Sequence, residues 1–205
     1  MKKSNIFQRI FRAIRLFFTN VIHSIRNFFF CLKYPFWRSR NVWTGKYSKD
    51  YRFTWYDDIE DGWKKAFGKE LSQDIKAAFK EDKKNNPKLK WKDALYWEQI
   101  KEKWGSLCLY CSASPNIRKV IEHYEDISGK YCFRCGKPAK YISKGYILPY
   151  CNNCFETRFK DIKKQMAQAK NKPDNALTTE WISYKKERSI PRNKIASENI
   201  KRLYK

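Results

Sequence analysis

The sequence predicts an α+β protein: a small mixed domain of helices and β-hairpins, preceded by a basic amphipathic helix. Three observations predict it. Apolar residues recur at helical spacing in several stretches, short alternating stretches bounded by turn residues lie between them, and two Cys-x-x-Cys pairs stand close together. Changes in composition divide the 205 residues into four parts. Residues 1–49 hold the basic amphipathic helix and an aromatic, basic linker. Residues 50–130 form the α+β core, 131–160 the cysteine unit, and 161–205 a basic helical tail.

Residues 1–49 contain eleven Lys or Arg and no acid before Asp50. Within them Phe7, Phe11, Ile14, Phe18, Val21, Ile25 and Phe28 alternate steps of four and three, which places all seven on one stripe of a helix. Phe17, Ile22 and Phe29 widen that stripe, while Arg9, Arg12, Arg15 and Arg26 fall mostly elsewhere. The longest charge-free stretch, Leu16 to Ile25, is ten residues, whereas a bilayer span needs about twenty. No small-residue cleavage site follows, which argues against a secretory signal. The helix suits an anionic membrane surface, a partner protein, the chain's own domain or an organellar presequence. Cys31, at its end, reads as a buried free thiol, with palmitoylation as the alternative.

Residues 33–56 mix aromatic and basic side chains, among them Tyr34, Phe36, Trp37, Arg38, Arg40, Trp43, Tyr47 and Tyr51. Such a mixture could stack bases. No regular period selects an exposed row, so covering the main domain is the preferred role. Asp57, Asp58, Glu60 and Asp61 precede Trp63, Phe67, Leu71, Ile75 and Phe79, a helix pattern ending near Pro87. The acids favour the positive end of that helix, with Asp61 as its cap; a carboxylate metal site is the sharper alternative. Residues 91–111 fit either a helix or a hairpin turning at Lys103-Trp104-Gly105. The hairpin, with Leu95, Trp97 and Gln99 alternating, is preferred. Ile117, Val120, Ile121, Tyr124 and Ile127 mark a helix from Pro115 to Ser128, ended by Gly129.

Cys132 and Cys135, then Cys151 and Cys154, are two tight pairs fifteen residues apart. Two intervening residues let one turn aim both sulfurs at a single ion, and four thiolates are a zinc set. Ala139 to Ser143 and Tyr146 to Tyr150 flank Lys144-Gly145 as a hairpin between the pairs. Knuckle, hairpin, knuckle is a zinc ribbon, so zinc is the expected cofactor. Cys108 and Cys111 form a third Cys-x-x-Cys. They could replace the second pair or hold another metal, but on a strand positions three apart face opposite sides, and small apolar roles suit them better. The tail reads as a helix to about Lys170, a break at 171–175, a short helix over 178–188 and a last basic helix after Pro191.

Asp57 to Gly68 (DDIEDGWKKAFG), Gln99 to Gly105 (QIKEKWG), the helix Ile117 to Ser128 and Cys132-x-x-Cys-Gly136 together resemble a family of uncharacterised phage and prophage proteins. The order in that family is GW(R/K)KAFG, QIKEKFG before a strand, a helix, then CxxCG in a zinc-ribbon-like element. The resemblance spans about residues 55–155. It implies the hairpin reading of residues 93–111 and disfavours Cys108 and Cys111 as ligands. It implies no activity, and the basic N-terminus is not part of the shared core.

The formal charge of +24 favours anionic partners. No phosphate loop, nucleophile triad or open metal site is present, and a four-cysteine site is closed, so no enzyme is expected. The expected function is nucleic-acid or nucleoprotein binding, without small-molecule substrate, by an accessory phage protein in the bacterial cytoplasm. Phosphate contacts are expected from Arg134, Lys137, Lys140 and Lys144 in the ribbon. The tail would add Lys163, Lys164, Lys185, Lys186, Arg188 and Arg192. The alternatives are docking on a host protein or the inner membrane through Phe7 to Phe28, and a virion or packaging role.

Overall fold

The computed structural model describes residues 6–41, 44–142, 147–158, 160 and 190–191. In them the chain is mixed helix and strand, with two small antiparallel sheets and a separate cluster of four cysteines. The first helix, α1 (Ile6–Lys33), is 28 residues long. Its first part stands clear of the rest of the protein. From His23 onward it docks through one side: Asn27, Cys31 and the following Tyr34 are buried.

That docking is partly polar. Asn27 Nδ2 donates to Tyr51 O and to Asp57 Oδ2, both at 3.0 Å, and His23 Nε2 lies 3.4 Å from Asp57 Oδ1. Asp57 also accepts from the backbone N–H and hydroxyl of Thr54, at 2.8 Å each, closing a capping box on the 3₁₀ turn Trp55–Asp58. The acid cluster is therefore spent on turn and helix starts. Asp61 is not the cap of the next helix; Glu60 occupies that position, and Asp61, the first helical residue, pairs with Lys64 at 3.1 Å. The neighbouring ammonium holds the Asp61 carboxyl below its usual range.

The aromatic linker folds inward. Tyr34, Phe36 and Trp37 are buried, and Trp37 stacks on Trp97 with ring centres 4.9 Å apart and planes 5° from parallel. Both indoles are satisfied: Trp37 Nε1 donates to Ser72 Oγ and Trp97 Nε1 to the Phe36 carbonyl, at 2.9 Å each. Arg38 lies over Tyr47 and Tyr51, and Arg40 over Tyr47 and Tyr96. These cations are committed to the fold.

Three helical pieces follow without a break: α2 (Asp61–Trp63), a π turn at Lys64–Gly68, and α3 (Lys69–Asn85). Apolar residues at steps of four drift about 40° per step around an ordinary α-helix. The wider π turn rotates the stripe back, so Trp63, Phe67, Leu71, Ile75 and Phe79 are all buried on one core. A short α4 (Trp91–Ala94) leads into the hairpin β1 (Leu95–Lys103) and β2 (Ser106–Ala113). A bulge between Trp97 and Gln99 shifts the register, so Gln99 is exposed and Ile100 takes the buried position that simple alternation assigns to Gln99.

Helix α5 (Pro115–Ser128) packs on α3 and β2 through Ile117, Ile121 and Tyr124. Its start is tied to α3: Ser114 Oγ and Asn116 Nδ2 donate to the two carboxylate oxygens of Asp82. Gly129 ends it with φ −63°, so 3₁₀-type bonds stop the helix without a left-handed glycine. The second sheet has the order β4 (Pro149–Tyr150), β3 (Tyr141–Ile142), β5 (Ile190–Pro191). Ile190–Pro191 pairs with β3, and the last basic helix expected after Pro191 falls outside the described residues. The other tail helices fall outside the described residues, apart from the segment 152–158 after Cys151.

Candidate metal centre

The first cysteine pair sits on a tight knuckle. Cys132 N donates to Lys137 O at 2.7 Å and Gly136 N to Cys132 O at 2.9 Å, with Gly136 at φ +79°. That left-handed position favours glycine. The second pair begins where β4 ends, and Phe155 N donates to Cys151 O at 3.0 Å as the segment 152–158 turns helical. Pairing of Tyr141 with Tyr150, and a 2.9 Å bond from Phe133 N to Pro149 O, bring the two knuckles together.

The four sulfurs of Cys132, Cys135, Cys151 and Cys154 lie within 4.8 Å of one another, and the Cys135 and Cys151 sulfurs are 3.5 Å apart. Among the described residues this is the one group of three or more metal-ligating side chains close enough to share an ion. Asp57 and its neighbours do not form one, and neither do Cys108 and Cys111. Burial raises the Cys132 thiol, but N–H donors from Cys151, Cys135 and Arg134 outweigh it and bring the thiol down to about 7. Burial raises the Cys135 and Cys154 thiols. By contrast, burial pushes Cys31 and Cys111 up to about 11, as inert protonated thiols.

The knuckle is seated on the core with no space between backbones. Gly62 N donates to Phe133 O at 3.1 Å, and a Cβ on Gly62 would stand 2.2 Å from the Cys132 carbonyl oxygen. Phe133 meets the Trp63 ring edge-on at 5.6 Å, while Trp63 Nε1 donates to Ser128 O. The start of α2, the end of α5 and the first cysteine pair thus converge on one spot.

Of the expected phosphate contacts, Arg134, Lys137 and Lys140 are exposed on this unit, and none is in an ion pair among the described residues. Lys144, Lys163, Lys164, Lys185, Lys186, Arg188 and Arg192 lie outside the described residues. Phe11, Ile14, Phe18, Val21, Ile25 and Phe28 are exposed along α1, which also includes Phe7. No helix among the described residues is long and apolar enough to cross a membrane.

One residue beside the centre was not singled out by sequence reasoning. Trp104 caps the β1–β2 hairpin with φ +53°, followed by Gly105 at +81°, and is 71% exposed. Two positive φ values make a twist-matched two-residue turn that usually takes Asn-Gly or Asp-Gly. A bulky indole there costs of order 1–3 kcal/mol in backbone strain. Gly105 packs against Ile147 and Pro149, and Pro149 O accepts from Phe133 N, so the hairpin tip adjoins the cysteine unit. The signal was present in the sequence: an aromatic directly before the glycine of a hairpin turn. Comparison with family models, curated proteins and solved structures finds no match to this chain.

Proposed function

We propose that this is a non-enzymatic accessory protein that binds nucleic acid through the surface around a structural zinc ion. Zinc suits the four sulfurs: tetrahedral thiolates at about 2.3 Å from the ion stand about 3.8 Å apart, close to the separations found. Backbone N–H groups directed at Cys132 and Cys135 supply the outer hydrogen bonds that such ligands need. Four protein ligands leave no open position, so the ion holds the fold and does no chemistry.

The observation that carries the binding proposal is Trp104. An exposed indole in a strained turn sits beside a unit that has no acid between Asp126 and Glu156 but exposes Lys130, Arg134, Lys137 and Lys140. A flat aromatic surface for a base beside cations for phosphates is the design of single-strand recognition, in which each stack contributes about 1–3 kcal/mol. Tyr34, Phe36 and Trp37 of the aromatic linker do not take this role, since they are buried.

Fluorescence anisotropy with labelled single- and double-stranded oligonucleotides tests the reading. Wild-type affinity should fall by orders of magnitude between about 50 and 200 mM salt. Trp104→Ala should weaken single-strand binding by about tenfold or more, and Lys137→Glu with Lys140→Glu should flatten the salt slope. Binding that is unchanged in both variants places nucleic acid elsewhere or nowhere.

A further inference from the structure

Helix α1 is amphipathic, and its own domain covers the wrong side of it. At 3.6 residues per turn, Phe11, Ile14, Phe18, Ile22, Ile25 and Phe29 fall in an unbroken apolar arc of about 80°. Each is at least half exposed, Phe11 reaching 78%. His23, Asn27 and Cys31, which meet the domain, lie on the opposite side. The Asn27 bond to Asp57, with His23 Nε2 close by it, fixes that rotation. The domain therefore cannot bury the apolar face without turning the helix and breaking this polar contact. An apolar strip running from Ile10 to Leu32, about 33 Å long, is left in water, far more than scattered surface residues explain.

Charge decides what covers it. Arg9, Arg12, Arg15 and Arg26 line the helix outside the arc, Arg15 at its border, and residues 1–49 hold no acid. A second copy of the helix would set arginines against arginines with no carboxylate to offset them. Its alternating four-and-three spacing would also leave Ile10, Phe17 and Ile22 beyond a narrow coiled-coil seam. We infer that α1 lies flat in the surface of a membrane containing anionic lipid. The phenylalanines enter the acyl boundary, the arginines reach up to the head groups, and the domain is held on the aqueous side. The helix is already formed and correctly rotated in the free protein, so binding requires neither folding of α1 nor detachment of the domain.

Vesicle co-sedimentation of the full chain, freed of nucleic acid by nuclease, tests this. Vesicles of phosphatidylcholine with about a third phosphatidylglycerol should bind, and pure phosphatidylcholine should bind at least about tenfold more weakly. Replacing Phe11, Phe18 and Ile22 together by Gln, away from every domain contact, should loosen binding at least about a hundredfold while the thermal transition and oligonucleotide affinity stay unchanged. Equal binding by this variant would overturn the inference, because bulk charge would then account for vesicle association. So would a wild type that sediments as a dimer, ignores vesicles and becomes monomeric in the variant: a second copy would then be the cover.

Discussion

At Gly62 two backbones touch. The peptide N–H bonds to Phe133 O, and the carbonyls of Cys132 and Phe133 fill the space that a side chain would need. Gly136 answers from the other side, its Cβ position 2.5 Å from Gly62 O. Since the obstacles are backbone atoms, neither can swing aside. Gly62→Ala is expected to cost about 1–3 kcal/mol in urea denaturation, the range for overpacked sites, and to loosen metal binding. A variant with wild-type stability and metal content would show that the knuckle and helix do not depend on this contact. The sequence marks Gly62 only as part of a helix start, because its partner lies seventy residues away. Gly136 is more legible, since a glycine directly after a Cys-x-x-Cys belongs to the knuckle turn itself. Trp104 is intermediate: the turn is readable, but its exposure beside the cysteine unit depends on how the hairpin packs.

Among the elements, the linker and the first hairpin share one aromatic core. Trp37 is fully buried, stacked on Trp97, and bonded to Ser72 on α3. Trp37→Ala removes the stack and leaves the Ser72 hydroxyl with only its bond to Gly68 O. The expected loss is about 3–5 kcal/mol, read as a shift in the urea midpoint at constant slope. A loss below about 1 kcal/mol would mean that the linker merely lies on the domain. Local patterns made several elements legible: the four-and-three stripe of α1, the steps of four along α2 and α3, and the turn glycine of the β1–β2 hairpin. The bulge at Glu98 and the π turn were not, because each corrects a register against a distant surface. Alternation alone therefore placed Gln99 where Ile100 is buried.

Over the whole molecule, the cysteine unit and the aromatic core are coupled through Gly62, Trp63 and Phe133. Metal removal should therefore be felt beyond the four ligands. One zinc per chain is expected by metal analysis. Chelation should lower the thermal transition reversibly, with a linked stability on the order of 4 kcal/mol when free metal exceeds its Kd a thousandfold. An unchanged transition after complete stripping, or two ions per chain, would contradict this organisation. Charge acts at the same scale, since acid-free stretches occur both in α1 and in the cysteine unit. By itself the sequence determined what is local: a mixed helix and strand chain, an amphipathic basic helix, and two cysteine pairs spaced for one ion. Only the tertiary structure decided which side of α1 stays in water and that Tyr34, Phe36 and Trp37 of the linker are core. It alone set the knuckle against Gly62 and left Trp104 exposed beside it. The reason is that periodicity depends on the chain's own geometry, whereas the partner of each face depends on contacts between residues far apart in sequence.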